Sequence, residues 1–513
     1  MSVLFSIVLS ICFCASALDF LRVFQVSCYR CKEYIAHIRC FDCIISVFGA
    51  ALGLSLTILF SKIIYNYHGL VGIISSTVFT LILIFLRKHT PRFRFTRRIL
   101  RLSGVLFLLN FLITLCVFVL SRRNLCGYEW LSMLFLLQIF LVPIAGWIVS
   151  PIEKRISRRY ILRAKKRLSE VKPFVIAITG SYGKTSVKNF LSTILSEKFR
   201  VCASPQNYNT PMGLCLTVNN CLKNDDEILI VEMGARYKGD ITELCDIVQP
   251  DLAIISGIGN QHLSTFGSKL ALMDTKYELV QALPHGAPAF FAEDEGSFSL
   301  YKRGYAPSYC ARVCGSKYSV SITDICMNAS GSHFFIRSND VVARGYTKLI
   351  GAHNIANTKL CAMVSLYMGL TLNEIVRGIA KIEAIPHRLQ LLPARGNMQI
   401  IDDSYNASKE GICAAMHTLE LFSGVRIVIT PGVIEGGKDS YVTNYACGMS
   451  IGKVADYLYA YGENFEPLRD GAICAGMGKD RIICVKSRDK AVEKISGVTT
   501  AKVTLIFCND LPN

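Results

Sequence analysis

The sequence predicts a multi-domain protein in which a helical transmembrane bundle precedes an α/β P-loop domain and a smaller, Rossmann-like α/β domain. Two observations lead to the membrane part and the P-loop domain, and a resemblance given below implies the third domain. Residues 1–150 are mostly apolar, whereas residues 151–513 have the composition of an ordinary globular protein. A glycine-rich turn at residues 179–186 lies between a short apolar run and a helix-like stretch, which is the context that a phosphate-binding loop requires.

The composition bounds the size and the partners of the protein. The chain has 513 residues, of which 51% are hydrophobic and 18% charged, and it is long enough for two or three domains. Much of the net charge of +18 lies in residues 87–101 and 154–167, beside apolar segments. This placement favours a basic collar at a membrane, and no nucleic-acid partner is expected. The 21 cysteines are scattered, as expected of small buried side chains in a reducing compartment.

The apolar part divides into four or five segments long enough to cross a membrane. Four of them reach the length of about 20 apolar residues that a spanning helix needs, namely 43–65, 69–86, 103–121 and 130–150. A fifth segment, 3–26, carries Asp19 and Arg22 and leaves the count between four and five.

The distribution of lysine and arginine around these segments predicts their orientation. With five spans, one side of the membrane receives Arg30, Lys32, Arg39 and the clusters at 87–101 and 154–167. The other side receives only Lys62, Arg122 and Arg123. Because cytoplasmic loops carry the excess of basic residues, we expect a multi-pass protein of the cytoplasmic (inner) membrane. Its N-terminus would lie outside and everything after residue 150 in the cytoplasm.

Two C-x-x-C motifs lie near the start of the apolar part. They are Cys28 with Cys31 and Cys40 with Cys43, and His37 lies between them. Paired motifs of this kind bind tetrahedral zinc. An interfacial loop with incidental cysteines explains the same residues, since the gap between the pairs is short. Both interpretations stay open.

The turn at residues 179–186 carries the residue types that grip a phosphate. Gly180 and Gly183 let backbone N–H groups approach phosphate oxygens, at a helix N-terminus that favours negative charge. Lys184 would reach the β- and γ-phosphates, and the Thr185 hydroxyl would ligate Mg²⁺. The predicted nucleotide-binding residues here are Thr179, Gly180, Ser181, Tyr182, Gly183, Lys184, Thr185 and Ser186. Ile178 stands where the common pattern has its first glycine, and the alternative is a tight turn with a chance lysine.

Two further apolar strands end in polar residues. Glu232 closes the run 228–232, and a carboxylate in this place commonly holds Mg²⁺. His262 follows the run 251–258, at the edge where parallel sheets bind ligands. The alternatives are a glutamate that caps the next turn and a structural histidine.

Eight motifs occur in one order after residue 150, and together they resemble the Mur ligase family. They are residues 179–186, 207–213, 232–234, 259–262, Lys276, residues 351–354 with Asn357, Arg388, and residues 402–407. The resemblance extends from about residue 173 to residue 513. The Asp-Asp-Ser-Tyr-Asn-Ala run at 402–407 most resembles the branch of the family that adds D-alanyl-D-alanine to a muramyl tripeptide.

The resemblance implies an ATP-dependent amide ligation. ATP phosphorylates a peptide carboxylate, an amine attacks the acyl phosphate, and phosphate leaves. Because two anions must meet, cations must screen them. The catalytic residues implied are Lys184, Lys276, His262 and Arg388, and the implied Mg²⁺ ligands are Thr185, Glu232 and His262. Lys276 resembles the family's carbamylated lysine, whose carbamate buttresses Mg²⁺, and an exposed helix lysine is the alternative.

The resemblance also places residues around the nucleotide. Asn354 and Asn357 would contact it from the central domain. Arg388 would approach its phosphates and Asp403 its ribose, both from the C-terminal domain. The alternative for Asp403 and its neighbour Asp402 is an Asx-type turn after a strand at 398–401.

Three departures from the family's pattern bear on the substrates. Residues 292–294 read Ala-Glu-Asp where the family has an Asn-x-Asp motif, which puts one adenine contact in doubt, and residues 435–437 read Glu-Gly-Gly in place of Glu-Leu-Gly. The family's UDP-binding domain has no counterpart, since apolar spans and a basic linker stand before residue 173. We therefore expect an acceptor presented at the membrane, in lipid-linked form.

The predicted domains are a transmembrane region at 1–150, a basic linker at 151–172, a central ATP-binding domain at 173–384 and a C-terminal domain at 385–513. A local antiparallel excursion is expected at 318–322 and 333–336.

The predicted enzyme adds D-Ala-D-Ala to a muramyl peptide during cell-wall peptidoglycan synthesis, with ATP and Mg²⁺ as cofactors and membrane lipids as neighbours. Two alternatives are a Mur-like ligase for another polymer, such as poly-glutamate, and a membrane scaffold that uses ATP as a switch.

Overall fold

A computed structural model gives the fold of most of the chain. It describes residues 2–38, 95–122, 134–205, 208–259, 266, 268–304, 306–313, 316–328, 330–395, 397–405, 409–434, 440–496 and 502–508. The chain divides into two compact units, of which the first ends at Arg158 and the second begins at Arg159.

The first unit is helical in its described part. Its helices are α1 (Ser2–Ser16), α2 (Leu18–Val26), α3 (Cys31–Ile38), α4 (Arg97–Arg122) and α5 (Leu134–Val171), the last of which continues into the second unit. By length and composition alone, and within the described residues, α4 and α5 could each cross a membrane. The pair α1–α2, bent by 45°, could form a third span.

The described helices cover three of the five predicted spans. Segment 3–26 falls on α1 and α2, 103–121 on α4, and most of 130–150 on α5. Segments 43–65 and 69–86 lie outside the described residues, so the number of spans stays a prediction. The basic segment predicted as a linker is helical up to Val171, because α5 runs through it.

The predicted zinc site lies partly outside the described residues. Cys28 and Cys31 are exposed free cysteines, whereas Cys40 and Cys43 are not described. In the described ranges no three His, Cys, Asp or Glu side chains are grouped to hold a metal. Zinc binding therefore stays a prediction.

The second unit begins with a parallel sheet of six strands. These are β1 (Phe174–Thr179), β2 (Val201–Ala203), β3 (Ile228–Glu232), β4 (Leu252–Ile255), β5 (Ala289–Phe291) and β6 (Ser308–Cys310). Their order is β2-β3-β1-β4-β5-β6, and every pairing is parallel. Strands buried on both faces are nearly continuous apolar runs, as β1 and β3 are.

Helices cover both faces of this sheet. They are α6 (Lys184–Leu195), α7 (Pro211–Asn220), α8 (Asp240–Val248), α9 (Lys269–Gln281), α10 (Glu295–Tyr301), α11 (Ala352–Tyr367) and α12 (Leu372–Ala380). Ile176 and Ile178 of β1 pack in one core with residues of α6, α11 and α12. Val175 and Ala177 pack in the opposite core with residues of α7, α8 and α9, as the alternation of strand side chains requires.

A small antiparallel sheet interrupts the α/β pattern. Its strands are β7 (Ser321–Asn328), β8 (Gly331–Ser338) and β9 (Val341–Thr347), paired in sequence order. The antiparallel excursion expected from the sequence is present, but it has three strands. The β7–β8 pairing shifts register between Thr323 and Cys326, and Asp324 there has a φ of +52°. This irregularity breaks the alternation of apolar residues along β7.

A second six-stranded sheet follows. Its strands are β10 (Gln390–Arg395), β11 (Met398–Asp403), β12 (Val425–Thr430), β13 (Tyr457–Ala460), β14 (Ile482–Cys484) and β15 (Val503–Cys508). The order is β10-β11-β15-β12-β13-β14, with only the edge strand β10 antiparallel to its neighbour. The helices beside it are α13 (Lys409–Glu420), α14 (Ser440–Val454), α15 (Phe465–Cys474) and α16 (Arg488–Ser496).

Candidate active site

The site lies at the carboxyl ends of β1, β3 and β4, which are neighbours in the first sheet. The register pairs Ile178 with Glu232 and Thr179 with Ile255. The loops that follow these strands therefore meet at one edge, where open parallel sheets bind ligands. Strand order alone brings the predicted phosphate loop beside the predicted metal carboxylate.

Contacts with the chain after β4 hold the phosphate loop. Ser256 Oγ donates to the carbonyl oxygen of Tyr182 at 2.6 Å, and Ser181 N donates to the carbonyl oxygen of Gly257 at 2.7 Å. Gly183 has a φ of +78°, a conformation that glycine adopts without steric cost. A Cβ there would lie 3.1 Å from Asn357 Oδ1, so close packing also favours glycine.

Lys184 begins α6, and its side chain lies back over the loop. Its Nζ donates to the carbonyl oxygen of Gly180 at 2.8 Å. Burial lowers the pKa of Lys184, attraction by Glu232 opposes this shift, and repulsion by Arg388 adds to it. An anion placed beside Lys184 would favour its charged form, as expected of a phosphate-binding lysine.

Glu232 receives hydrogen bonds from two loops. Thr185 Oγ1 donates to Oε2 at 3.0 Å, and Asn209 Nδ2 donates to Oε1 at 3.3 Å. The glutamate is 2% exposed, and its partners come from other loops, which a simple cap of the next turn does not explain. Hydroxyl and carboxylate oxygens are the hard donors that Mg²⁺ prefers, so the pair Thr185–Glu232 fits that cation.

Lys188 also lies at this carboxylate, and the sequence prediction missed it. Its Nζ is 3.8 Å from Glu232 Oε2, and the side chain is 1% exposed. Burial lowers the pKa of Lys188, and attraction by Glu232 opposes the shift. The signal was the spacing from Lys184, because residues four apart lie on one face of a helix.

Lys276 is buried in α9 and 3% exposed. The alternative of an exposed helix lysine is therefore wrong. Burial and repulsion by Lys184 lower the pKa of Lys276 to about 7, while Asp240 and Glu278 oppose the shift. Glu278 is engaged elsewhere, since its Oε1 accepts a hydrogen bond of 2.8 Å from Gly239 N at the start of α8.

Asn354 and Asn357 lie in the first turns of α11 and are largely buried. Asn357 is the neighbour of Gly183 in the phosphate loop. Asn354 Nδ2 donates to the carbonyl oxygen of Ile350 at 2.8 Å. Of the two predicted asparagines, the structure thus brings Asn357 directly to the loop, whereas the Asn354 amide is engaged with its own helix N-terminus.

Arg388 and Asp403 come from the chain around the second sheet. The Arg388 guanidinium carbon lies 4.5 Å from the ring centroid of Tyr405. Asp403 Oδ1 accepts a hydrogen bond of 3.0 Å from Leu389 N. Burial raises the pKa of Asp403 to about 7, and Arg388 opposes the shift. Asp402 Oδ1 accepts from Ser404 N at 3.1 Å, which is the contact of an Asx-type turn.

Some residues of the predicted motifs lie outside the described part of the chain, and others make contacts that the sequence did not predict. His262, Asn207 and Glu435 lie outside the described residues. Asp294 caps α10, since its Oδ1 accepts from Ser297 N at 3.0 Å. Tyr182 is half exposed, and Ser186 is buried on α6.

The chain is similar in sequence to proteins of known function. Residues 178–365 match the sequence profile of the Mur ligase middle domain. A UDP-N-acetylmuramoyl-tripeptide–D-alanyl-D-alanine ligase of Bacillus subtilis (strain 168) is 27% identical over 322 residues, which cover 62% of this chain and 69% of that protein. The chain spans 69% of the length of that ligase and 48% of the length of a ligase of the same name from Mycobacterium bovis (strain ATCC BAA-935 / AF2122/97).

Solved structures share the fold. MurF from Acinetobacter baumannii superposes with a TM-score of 0.61 at 22% identity, over 68% of this chain and 76% of that one. MurF ligase from Thermotoga maritima in complex with ADP superposes with a TM-score of 0.60 at 24% identity, over 69% and 80%. The α/β part of the chain therefore has a Mur ligase fold.

Proposed function

The chain belongs to the Mur ligase family through its middle domain, and we propose that it is an ATP-dependent ligase joining D-alanyl-D-alanine to a muramyl tripeptide. The reaction has two steps. The γ-phosphoryl group of ATP passes to the peptide carboxylate, which gives an acyl phosphate and ADP. The amine of D-alanyl-D-alanine then attacks the acyl carbon, phosphate leaves, and an amide bond forms.

The contact between Thr185 and Glu232 is the observation that carries this proposal. A hydroxyl from the phosphate loop and a buried carboxylate from the neighbouring strand lie 3.0 Å apart. Mg²⁺ held by these oxygens would screen the phosphate charges and stabilise the transferring group. His262 is a further proposed ligand, on the family resemblance alone.

The cations around the loop would bind the phosphates. Lys184 would exchange its bond to the Gly180 carbonyl for a phosphate oxygen. Arg388 would contribute from the C-terminal domain. Its positive charge helps to lower the pKa of Lys184 and the pKa of the buried Lys188. Preorganised positive charge of this kind stabilises the charge that develops during phosphoryl transfer.

Lys276 is suited to the carbamate that the family resemblance implies. A carbamate forms from a neutral amine and carbon dioxide, and the pKa of about 7 leaves much of the amine neutral in a cytoplasm near pH 7. The product is an anion that would support Mg²⁺ where a cation would repel it. Bicarbonate should therefore raise the activity of protein freed of carbon dioxide, and Lys276→Met should not respond to it.

Release of phosphate tests the proposed substrates. With the full-length protein, ATP and Mg²⁺, release should require both the muramyl tripeptide and D-alanyl-D-alanine. Glu232→Gln should lose activity, while Glu243→Gln, which alters an exposed glutamate of α8, serves as the matched control. Turnover with glutamate in place of the dipeptide would favour the poly-glutamate alternative, and ATP turnover independent of any amine would favour the switch.

We further propose that the enzyme is a multi-pass protein of the cytoplasmic membrane with its α/β domains in the cytoplasm. The apolar helices α4 and α5 and the asymmetry of basic residues support this. A lipid-linked muramyl tripeptide is then the proposed acceptor. The protein should stay in the membrane fraction after alkaline carbonate extraction and should use the lipid-linked acceptor. Extraction in soluble form, or use of the UDP-linked form only, would contradict this part.

A further inference from the structure

Arg388 lies between two residues with an uncommon backbone conformation. The φ angles are +64° at His387 and +42° at Leu389. Residues with a side chain rarely enter this left-handed region, because Cβ crowds the following carbonyl group. Such conformations persist only where surrounding contacts hold them.

Three contacts that hold this segment come from residues 402–405, at the end of β11 and just after it. His387 Nδ1 lies 2.8 Å from Asp402 Oδ2, and Tyr405 N donates to the carbonyl oxygen of His387 at 3.1 Å. Leu389 N donates to Asp403 Oδ1 at 3.0 Å. The residues on both sides of Arg388 are thus bonded to one short stretch of chain.

The Asp402 side chain is held in place by burial and by a second hydrogen bond, so it can hold the His387 imidazole in place. It is 3% exposed, it lies in β11, and its second oxygen accepts from Ser404 Oγ at 2.5 Å. A carboxylate only accepts hydrogen bonds, so Nδ1 is the protonated nitrogen of His387 in this contact. The trio is not a nucleophilic triad, since Ser404 is fully buried and donates to the aspartate.

The Arg388 side chain contacts the same stretch of chain. Its guanidinium lies over the ring of Tyr405, whose backbone N–H is bonded to His387. From these relationships we propose that His387 is a positioning residue, which with Asp402 locks the backbone so that Arg388 is aimed at the phosphates. This inference rests on the nucleotide-binding role proposed for Arg388 above.

Two substitutions of His387 distinguish the effect of the imidazole from the effect of the backbone conformation. His387→Gly keeps the left-handed conformation accessible but removes the bond to Asp402. His387→Asn also tolerates this conformation and retains a donor for Asp402. We expect His387→Gly of the full-length protein to lower kcat/KM for ATP about 10- to 100-fold, as small misplacements of a positioned group do. His387→Asn should recover most of that loss.

A remote left-handed residue provides the control. Asn339 has a φ of +49° in the turn between β8 and β9, and Asn339→Gly should leave kcat/KM unchanged. If His387→Gly keeps the wild-type kcat/KM, or if it lowers the melting temperature without weakening ATP binding, His387 does not position Arg388. An asparagine variant as impaired as the glycine variant would equally overturn the inference.

Binding of a non-hydrolysable ATP analogue separates this inference from the proposed function. If the wild-type protein fails to ligate the muramyl tripeptide, the proposed reaction is wrong, but analogue affinity still reports on Arg388. We expect about a tenfold weaker affinity for His387→Gly than for wild type, with the Asn339→Gly value unchanged. Equal affinities of all three proteins would overturn the positioning role.

Discussion

The ammonium nitrogen of Lys188 lies 3.8 Å from a carboxylate oxygen of Glu232, and the two side chains are 1% and 3% exposed. A buried charge is costly unless it is paired. This lysine therefore compensates the carboxylate that is proposed to hold Mg²⁺, and it stands apart from Lys184, whose side chain lies over the loop. Lys184 is therefore proposed to act on the phosphates and Lys188 on the carboxylate.

Lys188→Met tests this division of roles. The substitution leaves the Glu232 charge buried without its partner, and breaking a buried pair typically costs about 3–5 kcal/mol. We expect a loss near the lower end of that range, because Thr185 and Asn209 still donate hydrogen bonds to the carboxylate. Urea unfolding at pH 7 measures it. The double variant Lys188→Met/Glu232→Gln should recover most of the stability, and a single-variant loss below about 1 kcal/mol would contradict the compensation.

Lys184→Met should strongly slow phosphoryl transfer while the protein stays folded. Removal of one preorganised electrostatic contact lowers rates about 100- to 1,000-fold, and Lys184 is the cation nearest to the loop. ATP-dependent phosphate release measures the effect. Lys223→Met, at an exposed lysine remote from the loop, should be neutral. Comparable losses in both variants would point to a general defect and against a phosphate-binding role.

Lys276 should make stability depend on pH. Its pKa is about 7 in the folded protein against an ordinary value of about 10.4. The unfolded chain therefore binds more protons between these values, and stability rises with pH across that window. Unfolding in carbon-dioxide-free buffer at pH 7 and pH 9 should show this rise for wild type and a smaller one for Lys276→Met. Identical pH profiles would mean that Lys276 is not buried as an amine.

Asp403 should make stability fall as the pH rises, which is the opposite of the effect expected for Lys276. Burial raises the pKa of Asp403 to about 7, above the ordinary value of about 3.9, so the folded protein binds more protons between these values. Its stabilising effect is present at low pH and is lost as the pH rises through 7. Asp403→Asn should therefore be more stable than wild type at pH 8, with little difference at pH 4, and should bind ATP more weakly. Lower stability at pH 8 would refute this assignment.

The sequence predicted the centre of the site because a few local patterns determine it. A strand, a glycine-rich loop and a helix place Lys184 and Thr185, and a buried run ending in Glu232 supplies the neighbouring strand. Parallel pairing then brings the ends of both strands together. Lys276 was predicted from the family resemblance, whereas its burial and its lowered pKa required the packed structure.

Other features escaped because they depend on contacts distant in sequence. The spacing of four residues places Lys188 on the same helix face as Lys184, but its contact with Glu232 appears only when β3 is placed beside α6. The backbone at His387 gave no sequence signal, since a histidine followed by an arginine is compatible with most conformations. Its left-handed backbone occurs together with a contact to Asp402, which lies fifteen residues later.

Oxygen-18 transfer tests the central claim, activation of a carboxylate by ATP, most directly. A muramyl tripeptide with both oxygens of its reactive carboxylate labelled is incubated with the full-length protein, ATP, Mg²⁺ and D-alanyl-D-alanine. Through an acyl phosphate, one labelled oxygen should leave with each phosphate released, and the new amide should keep the other. Unlabelled phosphate released during amide formation would contradict the account.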